Sequence, residues 1–144
     1  MTRHLLVSFD DSELSDRALT FACSAFPEDR ITVMYVIDAR SDETAAAGWG
    51  NTTDQYERWV ASRREFADEL LHHAEAIADE HGVTLDTVVA IGRVRDAIVD
   101  YAADHDVDLV VMGFHPRSRL SAYLAGEFSD RVIRSSDLPV ALVK

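Results

Sequence analysis

A chain of 144 residues that is 47% hydrophobic can bury the core of one domain and leaves little room for a second. Twenty-six acidic residues against 14 basic ones give a formal net charge of −12, which repels nucleic-acid phosphates and sets non-specific DNA or RNA binding aside. No apolar run approaches the roughly 20 residues of a membrane helix, the first residues lack a signal peptide's basic flank and long apolar region, and Cys23 alone cannot form an internal disulfide or a cysteine metal site. A cytoplasmic protein with no membrane or nucleic-acid partner is expected.

Seventeen of the acids are Asp, and 13 of the basic residues are Arg, with Lys144 the lone lysine. A GC-rich genome favours Arg over Lys codons but does not explain the Asp excess. A halophile does, because molar salt screens self-repulsion to a Debye length of about 3 Å.

Residues 4–9 (HLLVSF) form a short, largely apolar stretch that predicts a first strand, closed by Asp10, Asp11 and Ser12. Either Asp11 or Ser12 suits the N-cap of a helix in which Leu14, Ala18, Leu19, Ala22 and Phe26 recur at helical spacing until Pro27. Cys23 falls on its apolar side, as an inert core thiol would. The β-branched run 31–37 (ITVMYVI) predicts a second, buried strand. Residues 38–53, with Gly48 and Gly50 flanking Trp49, break the rhythm and predict a long loop. Asp54 followed by Glu57 opens a long helix that runs to about His81 and ends at Gly82. Strand three is expected over 84–90, helix three over 96–105 and strand four over 109–112, led in by Val107. A fourth helix over 126–134 and a last strand over 139–143 complete the chain. This alternation predicts an α/β fold over residues 1–144: an open, doubly wound, five-stranded parallel sheet, Rossmann-like, with helices on both faces.

Ligands of such a sheet bind beyond the carboxyl ends of the strands, where the strand order reverses. The segments available there are 10–12, 38 onward and 113–121. In the last of these, Met112 and Gly113 close an apolar strand. Two residues separate Gly113 from Pro116, and nine more separate Pro116 from Gly126 and Glu127.

These residues resemble the universal stress protein family. Its C-terminal half has a strand ending in Met-Gly, the loop Gly-x-x-Gly, nine residues, and Gly-Ser or Gly-Thr opening a helix. Residues 5–19 (LLVSFDDSELSDRAL), 31–38 (ITVMYVID) and Leu138-Pro139-Val140 are similar to further parts of its pattern. The likeness covers the chain outside residues 39–83, and a single-domain member from a halophilic archaeon is expected.

The resemblance implies a pocket for ATP or another adenine nucleotide. Asp10 would meet the ribose and the backbone at Val36 the adenine. Met112, Gly113, His115, Gly126, Phe128 and Ser129 would surround the phosphates, where glycines and a helix N-terminus expose N–H donors. The sequence departs from the ATP-binding pattern twice. Pro116 replaces the second loop glycine and removes an N–H. Glu127 replaces a hydroxyl and sets a carboxylate against the triphosphate, an effect that Arg117 and Arg119 offset in part. Without a ligand, Glu127 simply favours the helix dipole.

The expected function is therefore a homodimeric regulatory stress-response module with a degraded ATP motif and no catalytic or metal-binding residue. Its dimer would form through the apolar last strand, Val140 to Val143, and its protein partner is not named by any motif. The alternative is an ATP- or AMP-binding stress protein that works as a nucleotide-dependent switch. Two other readings fare worse. A phosphoacceptor receiver domain suits the pair Asp10-Asp11 but needs a lysine after its last strand, and Lys144 stands at the chain's end. An adenylating ligase needs a glycine-rich loop after strand one, where Asp10-Asp11-Ser12-Glu13 stands instead.

Overall fold

Aliphatic and β-branched residues buried on both sides build a sheet in which every pairing is parallel. The structure is a computed structural model and describes residues 2–38, 53–114 and 138–144. Its strands are β1 (His4–Ser8), β2 (Arg30–Ile37), β3 (Leu85–Ile91), β4 (Leu109–Gly113) and β5 (Val140–Val143), in the spatial order β3-β2-β1-β4-β5. The helices are α1 (Glu13–Ala25), α2 (Thr53–Glu80) and α3 (Val94–Asp104). The predicted α/β fold is thus the observed one, and the order reverses between β1 and β4. The expected loop over 38–53 lies, but for its two end residues, outside the described residues. The expected fourth helix over 126–134 lies wholly outside them.

Alternation along each strand divides the core in two. Leu5, Val7, Ile31, Val33 and Val111 face α1 and α2, where Ala18, Leu19, Ala22, Ala67, Leu70 and Ala74 meet them. Leu6, Met34, Val110 and Met112 face Ile98 and Ala102 of α3. Cys23 is 1% exposed in the first layer, and burial pushes its thiol pKa up, as an inert core thiol requires.

Local chemistry sets the helix ends. Ser12, not Asp11, is the N-cap of α1: its hydroxyl accepts the Ser15 N–H at 3.2 Å. Helix α3 begins two residues before the expected Asp96. Gly92, at φ 139°, turns the chain early and gives its N–H to the Ile37 carbonyl at 3.0 Å. Arg93 then takes the cap position without a side-chain bond, so no Ser, Thr, Asp or Asn marks this start. Strand β2 begins one residue before the expected Ile31, β3 is displaced by one residue toward the C-terminus, and β4 extends to Gly113.

The amino edge of the sheet is tied by His4, which is 6% exposed. Its Nδ1 donates to the His105 carbonyl at 3.0 Å, since a carbonyl can only accept, and its Nε2 is hydrogen-bonded to the Thr32 hydroxyl at 2.7 Å. Its backbone N–H meets Asp108 Oδ2 at 2.7 Å. One residue thereby joins β1, β2 and the turn before β4.

Candidate functional site

The opposite, carboxyl edge is where β1 and β4 diverge, and of the expected ligand residues Asp10, Val36, Met112 and Gly113 are described there. Val7 pairs with Val33 and Ser8 with Met34, and the Phe9 N–H still reaches the Met34 carbonyl at 2.9 Å. Continuing that register brings Asp10 out of the sheet abreast of Val36. The two residues expected at the ribose and the adenine are therefore side by side.

Asp10 is held by the start of α1. Its Oδ1 accepts the Ser12 N–H at 2.8 Å and the Ser15 hydroxyl at 2.7 Å, and its own N–H is given to Ser15 Oγ at 2.9 Å. Ser15 is 4% exposed, so this knot sits under the surface. It consumes one carboxylate oxygen, and among the described residues Oδ2 has no partner. The carboxylate is thus oriented in advance with one acceptor to spare, which suits a sugar hydroxyl.

Met112 points into the α3 layer at 4% exposure, so only its backbone faces the edge. Val36 packs partly buried on the same layer. Gly113 ends β4 directly against Leu14 of α1, with no room between them for a side chain. His115, Pro116, Arg117, Arg119, Gly126, Glu127, Phe128 and Ser129 lie outside the described residues. Among the described residues no group of three His, Cys, Asp or Glu side chains could hold a metal ion, and no helix is long and apolar enough to cross a membrane.

One residue at this edge was missed by the sequence reading. Helix α2 sends Trp59, Val60, Phe66, Ala67, Leu70, Leu71 and Ala74 inward, and Arg63 falls on that same stripe. Its guanidinium lies 4.4 Å from the Phe66 ring centre and 6.0 Å from that of Tyr35, and it donates a hydrogen bond to the Tyr35 hydroxyl. The signal was a charge at an apolar position of a periodic helix, which reads as noise until the helix is placed.

An open parallel sheet whose strand order reverses between β1 and β4 has the form of a doubly wound α/β domain. The chain belongs to the universal stress protein family, whose pattern matches residues 1–144. A universal stress protein of Methanocaldococcus jannaschii is 24% identical over 155 residues, covering 100% of this chain and 96% of that one. Universal stress protein UspA from Lactobacillus plantarum superposes with a TM-score of 0.77 at 20% identity, covering 99% of this chain and 97% of that chain. A universal stress protein solved in complex with cAMP superposes with a TM-score of 0.65 at 21% identity, over 99% of this chain and 96% of that chain.

Proposed function

We propose that this chain is a homodimeric, cytoplasmic stress-response module of a salt-adapted cell, regulatory and not an enzyme. It takes an adenine nucleotide at the carboxyl edge without the tight triphosphate grip of the full family loop. The observation that carries the reading is Asp10, fixed through Oδ1 beside Val36 with Oδ2 left to accept. The family membership and the cAMP bound by a structural relative support it. Pro116 and Glu127 argue for the weak triphosphate grip, one by a missing donor and the other by charge.

Among the described residues the apolar strand β5 pairs only with β4, and Leu142 on it is 43% exposed. This supports dimerisation through that strand.

The test has two arms. Native mass spectrometry in volatile salt is expected to show a dimer, and a monomer at micromolar concentration would overturn that part. ATP titration in molar KCl of Pro116→Gly, Glu127→Ser and the double variant is expected to show a gain for the double variant of about a hundredfold or more. No gain, or tight ATP binding by the unaltered chain, would end the account of the loop.

A further inference from the structure

We infer that Arg63 is the phosphate-recognising residue of this edge, so that the ligand class it takes is a nucleoside monophosphate. The inference rests on the nucleotide reading above and goes beyond it. Three observations lead there.

The first is where α2 stands. Its 28 residues extend about 42 Å, whereas the eight residues of β2 extend about 26 Å. Tyr35 and Phe66, whose ring centres are 5.8 Å apart, register the two elements. From Phe66 the helix climbs roughly 20 Å more to Thr53, while β2 has roughly 7 Å left to Ile37. The first turns of α2 therefore stand above the carboxyl edge as a wall, and Arg63 lies one turn beyond Phe66 toward it.

The second is how Arg63 is held. Its side chain points inward and is half-buried, its orientation fixed by a phenol oxygen and an aromatic face. Both partners are neutral. Among the other described arginines, Arg3 sits on Asp29 at 3.0 Å, Arg17 on Glu13 at 3.3 Å and Arg30 on Asp86 at 2.7 Å, while Arg58, Arg64 and Arg93, which have no carboxylate beside them, are exposed to water. Among the described residues Arg63 has no carboxylate partner. A partly desolvated cation without a counter-charge is an unfavourable arrangement that a bound anion relieves, and a guanidinium fits phosphate oxygens two at a time.

The third is which phosphate it can meet. Tyr35 immediately precedes Val36, and Val36 is abreast of Asp10. The side chains of Tyr35 and Val36 face opposite layers, but β2 lies two strands away from β4, so Arg63 stands at the β2 end of the edge and not at the loop after β4. The phosphate at that end is the one joined to the ribose.

Calorimetric titration of the full chain with AMP and with adenosine tests this. The unaltered protein is expected to bind AMP more tightly than adenosine, and Arg63→Gln to lose about tenfold in AMP affinity while leaving adenosine unchanged. Tyr35→Phe keeps the charge and the packing but frees the guanidinium, and is expected to lose AMP affinity by a smaller factor, again sparing adenosine. Equal AMP binding by Arg63→Gln and the unaltered protein would overturn the assignment while leaving the nucleotide reading intact. So would equal losses for AMP and adenosine in both variants. If the unaltered protein bound neither ligand, the nucleotide reading itself would fall and this inference with it.

Discussion

A β-carbon at Gly113 would stand 2.7 Å from Leu14 Cβ and 2.8 Å from the Leu14 carbonyl carbon and oxygen. The end of β4 and the first turn of α1 thus meet backbone against side-chain stem and backbone. Because Leu14 lies one residue from Ser15, the same contact seats the knot that orients Asp10.

Gly113→Ala should therefore act at a distance from its own side chain. No rotamer change moves a main-chain carbonyl away, so α1 must shift, at a cost of about 1–3 kcal/mol. Denaturant unfolding should show a lower midpoint with an unchanged slope. An unaltered midpoint would mean that α1 is more loosely seated than its contacts indicate.

Ser15→Ala should loosen Asp10 from the other side. It removes the hydroxyl that both accepts from the Asp10 N–H and donates to its carboxylate in a buried position, a loss of about 1–3 kcal/mol. Ser15→Thr retains the hydroxyl but must fit a methyl into a nearly closed site. The alanine variant should also weaken nucleotide binding more than its stability loss alone explains, measured by titration well below its melting temperature.

Acid should test the amino edge. The Arg3 backbone N–H, bonded to Asp29 Oδ1 at 3.0 Å, leads the interactions that hold the Asp29 carboxyl below its usual pKa. A carboxyl whose folded pKa is depressed contributes stability above its unfolded pKa, and this is lost as pH falls through the folded value. Melting temperatures of the unaltered protein should thus fall more steeply below about pH 4 than those of Asp29→Asn. Parallel curves would show that the carboxylate is not coupled to folding.

Salt should stabilise the fold. With a net charge of −12, most of the cost of self-repulsion falls at low ionic strength, so melting temperature should climb steadily across a KCl series into the molar range. A flat series would reject adaptation to salt.

How far the sequence carried the fold follows from where its signals were redundant. Strand β2 was readable because seven successive residues agreed on burial and on β preference, and α1 because five apolar positions and Pro27 agreed on its face and its end. The start of α3 was misplaced because its turn depends on the φ of Gly92, which no neighbouring residue announces. Asp10 was readable at the end of an apolar run, but its anchoring by Ser15 was not, since four residues separate them and only the turn joins them. Arg63 escaped because its meaning comes from Tyr35, twenty-eight positions away on another element.

The tie at His4 has a consequence for the order of assembly. Its bond to the Thr32 hydroxyl spans 28 residues, whereas its bonds to His105 and Asp108 span 101 and 104. Closing the longer span costs roughly 1 kcal/mol more chain entropy, by the logarithmic growth of loop cost with length. A chain emerging from the ribosome can pair β1 with β2 and then β3 long before β4 exists. Until then β1, the central strand of the finished sheet, is an outer strand whose Leu5, Leu6 and Val7 have no second neighbour. The exposure of β1 therefore lasts until late in synthesis and ends when Asp108 docks, so the bonds of His4 mark the step at which the central strand gains its second neighbour, before β5 joins β4.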